Sequence, residues 1–263
     1  MNNYEKTLGH RMKEYEAVTD LKLIKGLPVI IRLDGRAFHT FTKGFHKPFD
    51  VVFNDCMTKT MKILCESVSN CVFGYTQSDE ITLVLYEKDE KSEPWFDNRL
   101  QKLVSLTASI ATLAFNEELY NYYNDQQEEI IPHNKLFKAT FDARAFNIPK
   151  DDVVNNLIWR QNDAAKNSIN SVAQAHFSHK ELQGKNGSQM QDMLMLQKQY
   201  NWSKDTPTRF KRGSACIKQE VEIETPQGKT IRTKWVIDNE MPMLVAEKSY
   251  LENLLRRDCC VSI

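Results

Sequence analysis

The run Pro28-Val29-Ile30-Ile31-Arg32-Leu33-Asp34-Gly35-Arg36 decides the fold of this chain. A short β-branched and apolar run closed by Asp-Gly reads as a buried strand that ends in a turn. A second stretch has the same character. Phe73-Gly74-Tyr75-Thr76-Gln77-Ser78-Asp79-Glu80 leads into Ile81-Thr82-Leu83-Val84-Leu85, which reads as a hairpin with Ser78, Asp79 and Glu80 at its bend. If the two strands are neighbours in one sheet, Asp34 and Asp79 face each other across a gap sized for a divalent cation. Magnesium takes oxygen ligands, a few from protein and the rest from water and phosphate. The plainer reading is a turn at Asp34 and a solvated bend at Asp79. Against it, an idle carboxylate directly after a deeply buried run is costly, and the glycine beside Asp34 lets a backbone carbonyl approach a ligand.

Outward from these strands, helical apolar spacing predicts an N-terminal helix over 4–20, docked by Tyr4, Leu8, Met12, Tyr15 and Val18. Lys25-Gly26-Leu27-Pro28 breaks it before the first strand. After Asp34 a loop interleaves Arg36, His39, Lys43, His46 and Lys47 with Phe38, Phe41, Phe45 and Phe49. Cations among aromatics suit a nucleotide, the charges for phosphate and the rings for the base; a surface loop with a few buried Phe is the bland alternative. Helices are predicted over 50–65 and 96–119, followed by a polar loop over 121–134. An alternating strand is expected from Lys135 to Phe146. The order strand, helix, two-strand hairpin, helix, strand is the ferredoxin-like split β-α-β unit, an α+β arrangement shared by the palm of many polymerases and nucleotide cyclases. Arg99 and Lys102 are three apart and share a helix face.

Pro149 opens the second part, so the division expected is 1–148 for the palm and 149–263 for a helical and β-hairpin extension. The helix predicted over 151–177 is unusually polar, and Arg160, Gln161, Lys166 and Asn167 on it can bind a phosphate backbone or neighbouring loops. Ser188 is expected to cap a helix over 190–199. Arg209, Lys211 and Arg212 precede a hairpin, Ala215–Ile223 and Thr230–Ile237, that can present them to RNA or leave them on a solvated edge. A closing helix is expected over 245–257.

Three linked motifs carry a resemblance. Arg32-Leu33-Asp34-Gly35-Arg36-Ala37-Phe38-His39, Lys47-Pro48-Phe49-Asp50 and Gly74-Tyr75-Thr76-Gln77-Ser78-Asp79-Glu80 resemble the histidine-tRNA guanylyltransferase superfamily, whose members extend RNA at the 5′ end in the 3′-to-5′ direction. The resemblance implies two Mg²⁺ ions bridged by Asp34 and Asp79, with the Gly35 carbonyl as a further ligand and Glu80 supporting Asp79 or a metal-bound water. It implies ATP and GTP as substrates. Ser78 and the amides after Asp34 (Arg36, Ala37, Phe38) would touch phosphate oxygens, and His39, Lys47 and Asp50 would contact nucleotide. Arg99 and Lys102 would neutralise triphosphate charge. A tRNA partner and a homotetramer are implied as well. The Trp159-Arg160-Gln161 stretch and Asp163 are family-like. The branch specific for histidine tRNA continues His-Ile-Asn-Asn-Leu-Tyr-Asn, whereas Ala165-Lys166-Asn167-Ser168-Ile169-Asn170-Ser171 stands here. That departure resembles the guanylyltransferase-like branch, which repairs tRNAs missing 5′ nucleotides by pairing against the opposite strand. Histidine-tRNA-specific guanylate addition, a palm-fold cyclase and a non-catalytic tRNA-binding protein are the alternatives. The cyclase's glycine-rich hairpin is absent, and a non-catalytic chain predicts a broken carboxylate set.

Composition limits the other classes. The 35 Lys and Arg balance 35 Asp and Glu, so RNA must meet a local patch instead of a global basic field. The six cysteines contain no C-x-x-C pair, which supports neither a zinc knuckle nor a redox motif and suits a reducing cytosol. His176 and His179 lack a matching third ligand. No secretory leader and no membrane-length apolar run is read in the sequence; a cytoplasmic location is expected.

Overall fold

The computed structural model describes residues 7–87, 92–125, 133–225, 228–251 and 255. In chain order, α1 is Leu8–Ala17, β1 Val29–Gly35, α2 Phe38–Phe41, α3 Val51–Ser67, β2 Cys71–Gln77, β3 Glu80–Leu85, α4 Leu100–Asp125, β4 Phe141–Asn147 and α5 Lys150–His176. Then follow α6 His179–Leu182, α7 Gly187–Lys198, α8 Trp202–Asp205, α9 Thr208–Arg212, β5 Ser214–Thr225 and β6 Gly228–Asp238. One six-stranded sheet carries the order β4-β1-β3-β2-β5-β6, with every neighbouring pair antiparallel.

Strand periodicity sends alternate residues of β1 to opposite faces. Val29, Ile31 and Leu33 pack with Met57, Met61 and Leu64 of α3 and Leu103, Ala111 and Phe115 of α4. Ile30 packs instead with Phe73, Tyr75 and Val84 and with Val153 and Leu157 of α5. Burial on both faces is why β1 is an unbroken apolar run and not an alternating one. By the same parity Arg32 and Asp34 lie on the α5 face.

Helix starts follow local chemistry. Asp50 caps α3: one carboxylate oxygen accepts from the Phe53 amide at 2.8 Å and the other from the His46 amide at 2.9 Å. Asn186, not Ser188, caps α7, in a reciprocal capping box with Gln189. Gly213, at φ +81°, joins α9 to β5 where a Cβ would stand 2.3 Å from the Thr76 carbonyl oxygen, so a side chain does not fit between α9 and the sheet.

Several element expectations change. Residues 8–17 are helical, but none of them is buried, and Leu8, Met12 and Tyr15 face solvent: no other element among the described residues covers them, so the expected docking is not seen there. Phe96, Asp97 and Asn98 take left-handed backbone angles, which delays α4 to Leu100; the helix then runs on to Asp125, into the expected loop. β4 begins at Phe141 because Asn116 bonds both the amide and the carbonyl of Ala139 and holds the preceding segment off the sheet. Arg209, Lys211 and Arg212 fall on a short helix before the hairpin. The closing helix expected over 245–257 is not formed at its start: residues 245–247 are turn and irregular backbone and Lys248–Leu251 form a 3₁₀ turn; of the remainder only Leu255 lies among the described residues.

Candidate active site

Asp34 stands at the end of β1, in register with Glu80 of β3 on one side and Asp142 of β4 on the other. The Gly35 amide donates to the Asp79 carbonyl oxygen at 3.0 Å. This backbone bond fixes the β2–β3 turn against the end of β1 and sets the two carboxylates side by side. Gly35 itself lies under the Phe38 ring, where a Cβ would come within 2.5 Å. Ser78 reaches the turn with φ 51° and donates its hydroxyl to Asp79 Oδ1 at 3.1 Å. Burial pushes the Asp79 carboxyl above its ordinary value; the charge of Asp34 pushes it the same way, opposed by its own amide, Ser78 and His39. Two like charges in a partly desolvated corner are what a bound cation relieves.

Glu80 has a different task. Arg160 of α5 donates from Nε to Oε1 and from Nη2 to Oε2, both at 2.7 Å, and Nη2 also donates to Asp163 at 2.9 Å. Arg160 and Glu80 are each 7% exposed. Burial pushes the Glu80 carboxyl up against the pull of Arg160. The bidentate pair clips α5 onto the sheet beside Asp34 and Asp79. Glu80 therefore positions a helix and is not free to hold a metal-bound water.

A pocket of about 310 Å³ opens on Asp79. His39, Lys47 and Asp50 line it from the loop after β1, Ser78 and Asp79 from the hairpin, Asn167, Ser168 and Ser171 from α5, and Arg209 and Phe210 from α9. The rings of Phe49 and Phe210 stack at 4.7 Å and 3°, and the Arg209 guanidinium lies 4.9 Å from the Phe210 ring centre. Arg209 is held there by Asp55 of α3 at 2.8 Å.

The structure gathers His39, Lys47, Ser78, Asp79, Asn167 and Arg209 around one pocket, with Asp34 joined to Asp79 by the backbone. It withdraws other expected contacts. The Phe38 ring is buried against Phe41, Phe115 and Phe141 and leaves only its backbone to the loop. Asp50 stays in the pocket lining, with each of its oxygens accepting from one backbone amide. Arg36 and Ala37 are exposed, with Ala37 left-handed at φ 55°. Gln161 is buried and bonds the Pro242 carbonyl and the Leu244 amide, so it tethers the chain after β6 and does not face RNA. Lys211 is buried, and its ammonium donates to the Ser203 carbonyl; burial, with Arg212 beside it, holds it below the usual lysine range. Lys166 is exposed and Arg212 half-buried.

Arg99 and Lys102 are also out of place for one site. Arg99 bridges to Lys22 and pairs with Asp20 at 3.5 Å, at the foot of α4. The other part of that helix meets the site end of the sheet, where Thr112 accepts from the Phe141 amide and Phe141 pairs with Gly35. Thirteen helical residues span roughly 20 Å, so within one chain Arg99 does not reach Asp34. Lys102, one turn further along, remains most of that distance away.

The sequence reading passed over Asn54, Gln77, Ser168, Ser171 and the Phe49–Phe210 stack. A signal existed for Asn54: it shares the helical spacing of Met57, Met61 and Leu64, so a polar residue sits on an apolar stripe.

Oxygen donors at Asp34, Asp79 and the Gly35 carbonyl suit Mg²⁺, which keeps most of its ligands as water and phosphate. Among the described residues no group of three or more His, Cys, Asp or Glu forms a full metal cage, and Glu80 is taken by Arg160. The arrangement fits a shared protein–phosphate site and not a structural metal.

A half-buried corner of neighbouring carboxylates beside a cationic, aromatic pocket has the chemistry that phosphoryl transfer on nucleotides requires. Comparison with known proteins agrees. The family model described as tRNAHis guanylyltransferase matches residues 9–149, more than half of the chain. The chain belongs to the tRNAHis guanylyltransferase family, a family of nucleotidyltransferases that process tRNA. An uncharacterised protein of Acanthamoeba polyphaga mimivirus is 29% identical over 90% of this chain and 85% of its own length. The tRNA(His) guanylyltransferase of Schizosaccharomyces pombe is 27% identical over 82% of each. Among solved structures, a bacterial tRNA(His) guanylyltransferase-like protein in complex with ATP matches with a TM-score of 0.82 and 41% identity over 95% of this chain and 99% of its own. A like-named structure with GTP matches with a TM-score of 0.79 and 38% identity, over the same shares. No helix of the described residues is long and apolar enough to cross a membrane.

Proposed function

We propose that this protein adds nucleotides to the 5′ end of tRNA in the 3′-to-5′ direction, reading the opposite strand to repair truncated ends. The observation that carries this is the Asp34–Asp79 pair, joined by the Gly35-to-Asp79 backbone bond at the edge of the pocket containing Lys47 and His39. The β-α-β-β-α-β order and the β4-β1-β3-β2 sheet support a polymerase-like palm over 1–148, with 149–263 as an extension whose α5 and α9 wall the pocket. The repair branch is favoured over fixed guanylate addition by the pocket wall itself. Asn167, Ser168 and Ser171 form it, in the segment where the sequence leaves the histidine-specific pattern.

The chemistry has two stages. An oxygen of the RNA 5′-monophosphate attacks the α-phosphorus of ATP or GTP, and the bond to pyrophosphate breaks. The 3′-hydroxyl of an incoming nucleoside triphosphate then attacks the activated RNA phosphorus, losing its proton, and the activating nucleoside monophosphate leaves. Two Mg²⁺ ions held by Asp34, Asp79 and the Gly35 carbonyl would supply Lewis-acid stabilisation of the attacking and leaving oxygens. Lys47 and His39 bind phosphate charge. Arg160 and Glu80 keep α5 against the sheet, so that the pocket wall and the carboxylates hold a fixed geometry. RNA is read as meeting Lys166, Arg209 and Arg212. A homotetramer is proposed from the family resemblance, and the exposed apolar residues of α1 support contact with another copy; the cytosolic location rests on the unpaired cysteines.

Transfer of label from α-phosphate-labelled ATP to a 5′-monophosphate tRNA, released by a nuclease that cleaves the 5′–5′ pyrophosphate, tests the first stage. Label on RNA that depends on Mg²⁺ and on the 5′-monophosphate is expected. Turnover of the free triphosphate to a cyclic product, with none on RNA, contradicts the proposal and favours a cyclase.

A further inference from the structure

Asn54 of α3 is 8% exposed, and its carboxamide oxygen is buried with no hydrogen-bond partner. It also lines the pocket that opens on Asp79, beside Phe49, Phe53 and Phe210. Buried polar groups are almost always satisfied, and each exception calls for a physical account. This one sits in the wall of a cavity, where a ligand can supply the missing donor. The aromatic neighbours suit the faces of a heteroaromatic ring. A carboxamide beside them offers an acceptor and a donor side by side, the pair that recognises the edge of a nucleobase.

We infer that Asn54 reads the base edge of the nucleoside triphosphate held in this pocket by hydrogen-bonding it. The inference rests on the nucleotide-binding reading above. Adenine presents an exocyclic N–H donor next to the N1 acceptor. Guanine presents the N1–H donor next to the O6 acceptor. The carboxamide, turned by 180°, matches either edge, so one residue accommodates both ATP and GTP. A purine without exocyclic groups gives Asn54 an acceptor but no donor, and its oxygen stays unpaired.

Calorimetric titration of the full chain with ATP, GTP and purine riboside 5′-triphosphate, which has no exocyclic group, tests this. The wild type binds ATP and GTP about tenfold or more tightly than purine riboside triphosphate, the size of one well-made hydrogen bond. Asn54→Leu binds all three within about twofold of one another. Asn54→Asp, whose carboxylate accepts from N1–H and N2–H of guanine but repels N1 of adenine, prefers GTP over ATP by about tenfold. The thermal midpoint of Asn54→Leu stays level or rises, because an unpaired acceptor is removed from the interior. Two outcomes overturn the role of Asn54 while leaving the pocket a nucleotide site: unchanged ratios among the three ligands in both variants, or a midpoint lowered by more than about 5 °C, which marks a structural amide. Failure of the wild type to bind any of the three overturns the nucleotide-binding reading as well.

Discussion

Asp79→Asn lowers nucleotide addition by at least about 10³-fold and leaves the fold intact. The substitution keeps the shape of the side chain and removes its charge. The bond that places Asp79 beside Asp34 runs through its backbone carbonyl, so the turn keeps its geometry. Burial and the neighbouring Asp34 charge already disfavour the ionised Asp79 carboxylate, and the amide relieves both. The thermal midpoint is therefore expected to hold or to rise. Lost rate with retained stability is the signature of a charge kept for chemistry at a cost to the fold. Single-turnover addition and thermal melting on the same preparation read both quantities. Wild-type rates in Asp79→Asn would remove the paired carboxylates from the mechanism.

Arg160→Leu acts the opposite way and damages the fold first. The substitution strands Glu80 as an uncompensated charge that is 7% exposed and cuts the bidentate tie between α5 and β3. Breaking one side of a buried pair costs about 3–5 kcal/mol; at roughly 2–4 °C per kcal/mol for a chain near this size the midpoint falls by about 6–20 °C. Arg160→Lys recovers only part of this, because an ammonium cannot make the two parallel bonds. Removing both charges, in Arg160→Leu with Glu80→Gln, restores much of the stability, since the penalty lies in the orphaned carboxylate. An RNA contact at Arg160 predicts something else: weaker tRNA binding, a shallower salt dependence and an unmoved midpoint. Denaturant or thermal unfolding of the three variants separates the two.

These two residues mark where sequence reading succeeds and where it stops. Asp34 and Asp79 were legible because each ends a short apolar strand, and strand ends follow from local pattern. The helices expected over 50–65 and 151–177, observed at Val51–Ser67 and Lys150–His176, were legible too, the first from its apolar spacing and the second from the proline that opens it. The polar face of α5 was visible too, but not what it meets. Arg160 finds Glu80 eighty positions earlier, and Gln161 finds Pro242 and Leu244 more than eighty positions later. Spacing along a helix identifies a shared face and carries no information on whether solvent, RNA or a buried carboxylate lies opposite. Arg99 and Lys102 show the same limit along the helix axis. The shared helix face expected of them does not form, because Arg99 is extended and precedes the first residue of α4; its pairing with residues 20–22, a tertiary contact, sets the foot of that helix. The exposed α1 is the converse case: its apolar spacing promised a partner, and no other element among the described residues supplies one.

The most direct test of the central claim is extension of a 5′-labelled monophosphate tRNA that lacks its first nucleotide, with Mg²⁺, ATP and GTP, by wild type and Asp34→Asn. The account predicts a product longer at its 5′ end from the wild type alone, with the added base changing when the opposing base on the tRNA is changed. Guanylate added to every substrate regardless of the opposing base would contradict template-directed repair. No extension of any truncated or intact tRNA, or equal extension by Asp34→Asn, would contradict the assignment of 3′-to-5′ addition to the Asp34–Asp79 site.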